Sequence, residues 1–272
     1  MPSSVQEGRV TKPKPRRPPQ RSSLRDKAEL ADIEREKDSQ SLPLVERTNA
    51  LSLDQLLSLY VPPDELAFKI TTPTAKKAVH ADNQDHIHED LDYVLDIYTA
   101  DSIPNADFEA CFKLIELTSS NAYTGSSFGW SPSKKIKEMR LPDMRYMVLR
   151  RVPRTASEDG SAQPLGFLSF MVTYEDGKEV IYCYEIHLSP AAQGQGLGEQ
   201  LMRRLANIGR RIGLEKAMLT VFRSNAQAVR FYDKLGYVED EFSPRPRRLR
   251  NGTVKEPDYR IMSKSLKDEG QQ

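Results

Sequence analysis

Apolar residues recur along this chain with two different periods, and the switches between them outline its elements. Leu53, Leu56, Leu57 and Tyr60 form one stripe at helical spacing, Ser52 and Gln55 stand where a capping box would open that helix, and Pro62-Pro63 stops it. The stretch 71–92 is polar and reads as an irregular surface loop. Phe108, Cys111, Phe112 and Ile115 predict a strong amphipathic helix over 105–120. An aromatic loop follows over 121–132, with Tyr123, Phe128 and Trp130. The period then falls to two. Residues 145–151 alternate like a strand, 155–163 are a polar loop, and 165–174 and 179–188 are strands joined by Asp176-Gly177, a dipeptide suited to a tight hairpin turn. Helical spacing returns over 196–213, with Leu201, Leu205, Ile208 and Ile212 on one face. A short buried strand (217–222), a helix over 225–235 closed by Gly236, and strands near 237–242 and 259–263 complete the series. A polar insert with Arg245, Arg247, Arg248 and Arg250 separates the last two. This order predicts an α/β fold, a mixed central sheet with flanking helices.

Composition adds a boundary. Of the 272 residues, 38% are hydrophobic and 29% charged, so part of the chain is expected outside any core. The net charge of +1 hides a basic, proline-rich start, in which Arg9, Lys12, Lys14, Arg16, Arg17, Arg21 and Arg25 face a lone Glu7. That start cannot bury enough apolar surface to fold. The expected organisation is a disordered basic tail over 1–40, a helical or irregular extension over 41–104, the α/β domain over 105–266 and a disordered C-terminus over 267–272. Residues 25–37 read as a solvated helix or as disorder. The run Lys12 to Arg17 is equally compatible with a nuclear address, a weak polyanion contact or a solvated tail. No apolar run is long enough to span a membrane, and the start lacks the apolar core of a signal peptide. Cys111 and Cys183 sit in apolar patterns, as reduced buried thiols would. His80, His86 and His88 lie near Asp82, Asp85 and Asp90 but match no standard zinc spacing, so no metal is expected.

The sharpest local signal is Gln193-Gly194-Gln195-Gly196-Leu197-Gly198, between a strand and a helix. Glycines there let the backbone approach a ligand closely, and free N–H groups at a helix start attract a phosphate. No Gly-Lys-Ser/Thr follows, and the glycine spacing is not that of a dinucleotide-binding turn. Alone, the loop is compatible with an ordinary strand-to-helix turn.

Together with Asn225-Ala-Gln-Ala228-Val-Arg-Phe231-Tyr232-Asp-Lys-Leu235-Gly236-Tyr237, however, the loop resembles the paired signatures of the GCN5-related N-acetyltransferases, over roughly 107–265. Gly129-Trp130-Ser131-Pro132, Tyr182-Cys183-Tyr184-Glu185 and Leu219-Thr220-Val221-Phe222 are similar to the D-type N-alpha-acetyltransferases, a subfamily that acetylates the N-terminal serine of core histones whose tails begin Ser-Gly-Arg-Gly. The resemblance implies the fold of that superfamily, acetyl-coenzyme A as co-substrate and no metal. It implies histone N-terminal tails as partners, no membrane, no nucleic-acid site beyond weak contacts of the basic tail, a ribosome-proximal monomer, and residence in nucleus and cytoplasm. In cofactor binding it implies backbone pairing by Ile186, His187 and Leu188 beside the pantetheine arm, with a bulge there, pyrophosphate binding by Gln193, Gly194, Gln195, Gly196, Leu197 and Gly198, and a contact from Asn225. It implies catalytic roles for Glu185, Tyr184 and Tyr232, the last as the acid for the departing thiolate. Tyr123, Tyr182, Tyr184, Tyr259 and Thr173 match positions lining the peptide site, and Thr173 departs from the acid found there in some members.

The residues have plainer readings too. Alternation puts Tyr182, Tyr184 and Ile186 on one side of their strand and Cys183, Glu185 and His187 on the other. A Glu in an apolar strand must be paired, either by an Arg or backbone amide or as a base facing the site. His187 reads as a partly exposed strand residue, and Trp130 as packing. An α-amine suits a modest base. Its pKa of ~7.8 leaves roughly a quarter neutral near pH 7.4, against about one lysine in a thousand, a difference of ~3.5 kcal/mol. The remaining readings are a lysine or small-amine acetyltransferase and a non-catalytic chromatin-binding module.

Overall fold

The computed structural model describes residues 42–73, 88–153 and 163–267. The tail over 1–40, including the stretch 25–37, the histidines at 80 and 86, nearly all of the polar loop over 155–163 and the last residues from 268 lie outside the described residues.

Two short helices come first, α1 (Leu44–Asn49) and α2 (Leu53–Tyr60), and Ser52 and Gln55 form the expected capping box. Two strands follow, β1 (Ala67–Pro73) and β2 (His88–Thr99), paired antiparallel. This corrects the sequence reading: the stretch 71–92 is strand at both ends, and the extension over 41–104 is not merely helical or irregular. In β2 the acidic residues Asp90, Asp92 and Asp96 alternate with Tyr93, Leu95 and Ile97, which are buried. The outward acids give the segment its polar look. Because β2 also pairs with β3 (Arg145–Arg151), the sheet runs straight across the expected boundary at 104/105.

Between them lie α3 (Asn105–Thr124), a turn longer than its apolar stripe, and α4 (Pro132–Met139), which the sequence reading did not foresee. Then come β4 (Gly166–Glu175), β5 (Lys178–Leu188), α5 (Leu197–Ile212), β6 (Lys216–Phe222), α6 (Ala226–Lys234), β7 (Val238–Glu239), β8 (Arg247–Arg248), β9 (Val254–Lys255) and β10 (Tyr259–Ser265). Among the described residues, eight strands form one sheet in the order β1-β2-β3-β4-β5-β6-β10-β7. The β5–β6 pair is parallel and the other neighbours are antiparallel, so the sheet is mixed, as expected. β8 and β9 make a small separate hairpin inside the arginine-rich insert. The strand expected over 237–242 shrinks to two residues because Asp240 turns the chain, accepting from Phe242 N through its side chain and from Ser243 N through its carbonyl.

Each face of the sheet carries its own core. On β3, Met147 and Leu149 pack with α5 residues such as Leu201, Leu205 and Ile208, while Tyr146 and Val148 pack with Phe108, Cys111 and Ile115 of α3. Alternation along one strand thus feeds two layers.

Two irregularities in β5 make the site. Its parallel pairing with β6 covers only Val180–Cys183 against Lys216–Leu219, although both strands run on. Beyond that point they splay. On its other edge, Ser169 faces Glu185 and Phe170 faces Cys183, which leaves Tyr184 as the extra residue of a β-bulge. The bulge therefore sits at Tyr184 rather than over 186–188.

Candidate active site

A cavity of about 650 Å³ opens where β5 and β6 part. One wall is the glycine loop. Gly194 and Gly196 have φ of 75° and 79°, a region where a side chain is strained, and Gly196 is the left-handed N-cap of α5. No side chain caps α5, so its first amides remain available, and Gln193, Gly194, Gly196, Leu197 and Gly198 all line the cavity. Gly198 is needed for a different reason: a Cβ there would meet the Phe231 ring at 3.3 Å. Gln193 braces the turn, Nε2 donating to Leu188 O at 3.1 Å. Gln195 does not line the cavity; it accepts from Tyr93 OH (3.0 Å) and donates to Ala191 O (2.7 Å). Its role is to fix the loop against β2.

The opposite wall is the end of β5. Tyr184, Glu185, Ile186, His187 and Leu188 line the cavity, with Tyr123 from α3, and Asn225 and Tyr232 at and within α6. Asn225 Oδ1 caps α6, accepting from Ala228 N at 3.0 Å, which leaves its amide nitrogen for the cavity. Tyr232 is buried against Cys183, and burial raises its phenol well above the ordinary value. Its hydroxyl has no hydrogen-bond partner among the described residues, so it stays a neutral donor facing the cavity wall.

Glu185 is 6% exposed and fully paired. Oε1 accepts from Lys135 Nζ (2.7 Å) and from Tyr123 OH (2.9 Å), and Oε2 faces His187 Nε2 at 2.6 Å. Burial pushes this carboxyl upward, but the bonds and charges of His187 and Lys135 outweigh it and hold it well below the usual range. Burial likewise opposes the charge on Lys135, yet attraction to Glu185, Tyr123 and Glu138 raises its ammonium. Lys135 uses all three donors, the third on Glu138 Oε1 at 2.8 Å.

His187 is not partly exposed, contrary to the sequence reading. It is 8% exposed, with Nδ1 2.6 Å from Thr118 Oγ1. Lys135 and Thr118 were both missed. Lys135 sits on the unforeseen α4, whose sequence signal was Pro132 at the first turn with Met139 one turn beyond Lys135. Thr118 continues the stripe Phe108, Cys111, Ile115 by one more step but is exposed, so a hydroxyl at the open end of that stripe was the available clue.

The expected peptide-site residues divide. Tyr182 does not line the cavity; its ring lies 5.4 Å from that of Tyr184 and its hydroxyl bonds Thr220 Oγ1 at 2.6 Å. Tyr259 lies on the rim, in register with Phe222 and 5.0 Å from the Phe128 ring. Thr173 pairs with Val180 near the hairpin end of β4 and does not reach the cavity. Trp130 packs against Tyr123 (5.7 Å) and Phe112 (6.1 Å), as read. The loop it belongs to is tied down by Ser127, whose amide and hydroxyl both donate to Asp258.

The model of the Acetyltransferase (GNAT) family matches residues 114–237, and the mixed sheet with flanking helices is the GNAT fold. Among curated proteins, N-alpha-acetyltransferase 40 of Saccharomyces cerevisiae is 35% identical over 98 residues, covering 29% of this chain and 34% of that protein. The chain thus matches about a third of the length of that relative. Among solved structures, it is similar to the ribosomal-protein-S18-alanine N-acetyltransferase from Escherichia coli (20% identity, TM-score 0.43, 65% of this chain and 97% of that one) and to smu.2055 from Streptococcus mutans UA159 (21% identity, TM-score 0.45, 63% and 99%). No helix among the described residues is long and apolar enough to cross a membrane.

Proposed function

With residues 114–237 carrying the GNAT fold, we propose that the chain transfers an acetyl group from acetyl-coenzyme A to an amine, and that this amine is the N-terminus of a protein. The observation that carries the reading is the meeting of two chemistries in one cavity. An uncapped helix start behind a glycine-bent turn faces a buried carboxylate network and an unpartnered phenol. Acetyl-coenzyme A supplies the activated acetyl thioester when bound. The residues fit it: the amides of Gly196 to Gly198 suit a pyrophosphate, and the edge of Ile186 to Leu188 that β6 leaves open suits an arm bearing amides. Asn225 adds a side-chain amide at the same wall.

Glu185 and its partners take the proton released by the attacking amine, Tyr123 and Tyr184 shape the acceptor's entry, and Tyr232 supplies a proton to the leaving sulfur. The protein N-terminus is favoured by the 35% identity to an N-alpha-acetyltransferase and by the lower pKa of α-amines. Within that class, residues 129–132, 182–185 and 219–222 favour core-histone tails beginning Ser-Gly-Arg-Gly, met by a monomer in nucleus and cytoplasm. The test is incubation with acetyl-coenzyme A and a Ser-Gly-Arg-Gly peptide, followed by mass spectrometry to locate the acetyl group. One acetyl on the α-amine is expected. Equal acetylation of a peptide blocked at its N-terminus would overturn the acceptor, and no acetylation of any amine would overturn the activity.

A further inference from the structure

The hydrogen bonds around His187 fix where its protons lie. Thr118 Oγ1 donates to Leu114 O at 2.7 Å, one turn back on α3. With its single proton spent there, Thr118 can meet His187 Nδ1 at 2.6 Å only as an acceptor, so Nδ1 carries a hydrogen. Across the ring, Nε2 faces Glu185 Oε2 at 2.6 Å. A bare imidazole nitrogen and a carboxylate oxygen at that distance would set two lone pairs against each other. One further proton therefore lies between them.

Charge supports the same count. Lys135 brings one positive charge, and Glu138 and Glu185 bring two negative ones. With the shared proton in place, the four side chains sum to zero, and without it the cluster carries one uncompensated negative charge beside the cavity. The other ionisable groups around the pair are Tyr123 of α3, Cys183 and Tyr184 of β5 and Tyr232 of α6, all neutral in their ordinary forms. The Phe167 ring, 5.7 Å from the imidazole, covers it from β4.

We propose that His187 is a second proton-holding residue of this site: the competent form is the one that has lost the proton shared by Glu185 and His187, Thr118 keeps Nδ1–H in place as it does so, and the acceptor's proton refills the shared position through Glu185. The inference rests on the acetyl-transfer reading above. In that step the amine nitrogen forms its bond to the acetyl carbon, the carbon–sulfur bond breaks, the amine's proton passes to the Glu185–His187 pair, and Tyr232 protonates the departing thiolate. Water then returns the proton from the pair to Tyr232. Glu185 touches the acceptor; His187 and Thr118 act through it.

Two measurements test this on the full chain. In the first, kcat against pH is compared for wild type, His187→Gln and Thr118→Val. Glutamine keeps an N–H donor for Glu185 Oε2 but cannot exchange a proton. His187→Gln is expected to lower kcat roughly ten- to hundredfold with little change in peptide KM, and to remove the acidic limb along which wild-type activity rises with pH. Thr118→Val is expected to lower kcat less and to move that limb. Wild-type kcat and limb in His187→Gln would overturn the proposal. In the second, ring ¹⁵N signals of His187, assigned by their loss in His187→Gln, are followed over about pH 5–9 without any substrate. Nδ1 should stay protonated throughout while Nε2 loses its proton as pH rises; a bare Nδ1 would overturn the proposal. If wild type acetylates no amine, the functional reading fails, while the ring signals still decide whether the shared proton exists.

Discussion

Glu185 is an anion buried between a cation on one oxygen and an imidazole on the other, and removal of the cation leaves two carboxylates, Glu138 and Glu185, against at most one positive charge. Lys135→Met is therefore expected to cost about 3–5 kcal/mol in urea unfolding, the range for breaking a buried ion pair. The same clamp sets a pH dependence. Because the folded carboxyl lies below its unfolded value, the clamp's stabilisation is present above the unfolded pKa of about 4.3 and is lost as pH falls through the folded value of about 2. An acid titration of wild type should show that extra loss of stability, and Glu185→Gln should not. Tyr232 carries a different prediction. Tyr232→Phe keeps the ring that packs on Cys183 and Tyr237 but removes the hydroxyl, so stability should stay within about 1 kcal/mol while kcat falls at least tenfold. An unchanged kcat would remove Tyr232 from the proton path. At this scale the sequence was informative for residues whose type was unusual for its position, such as Glu185 in an apolar strand. It was silent on Lys135, because a lysine near a helix start looks solvated until the helix is seen to bury it.

Elements were legible where one face is apolar and the ends are marked. Asp176 and Gly177, at φ of 48° and 77°, form the expected turn of the β4–β5 hairpin, and α5 runs between the left-handed glycines 196 and 213. α4 escaped because its buried residues are Lys135 and Met139, while Ile136 is partly exposed, which is not an apolar stripe at all. β1 escaped because a strand with one neighbour among the described residues tolerates Lys69 and Thr71. The glycine loop yields a prediction at this scale. Gly196→Ala meets no atom within 4 Å, but the residue must hold φ of 79°. It should lose about 1–2 kcal/mol and raise the KM for acetyl-coenzyme A, with the peptide KM unchanged. Gly209→Ala acts by contact instead. Its Cβ would sit 2.5 Å from Leu266 and 2.9 Å from Ile181, so α5 would be pushed off the sheet, at about 1–3 kcal/mol and with no selective effect on either substrate.

In the whole molecule, the extension is bound to the domain rather than appended to it. Arg145, buried in β3, donates to Asn49 Oδ1 at 3.0 Å and to Thr48 O at 3.3 Å, at the negative end of α1. Asn49 in turn donates to Val172 O of β4, and Arg211 of α5 pairs with Glu65. Arg145→Met leaves those acceptors unpaired and should cost about 1–3 kcal/mol in thermal unfolding, with kcat retained in the folded fraction. The sequence reading placed a boundary at 104 because the first strong amphipathic helix starts at 105 and the family resemblance is weak before it, but backbone pairing between β2 and β3 crosses that point.

The parting of β5 and β6 after Cys183 and Leu219 has a thermodynamic corollary. A sheet with rungs left open is less stable than its length allows, and whatever fills the gap from within adds the missing rungs. Saturation with acetyl-coenzyme A at a hundred times its Kd should therefore raise stability by about 2.7 kcal/mol, seen as a melting shift on the order of 5–10 °C. Slowed amide exchange should centre on residues 184–188 and 196–199, leaving β1 and β2 as they were, so that the ligand behaves as the absent piece of the sheet.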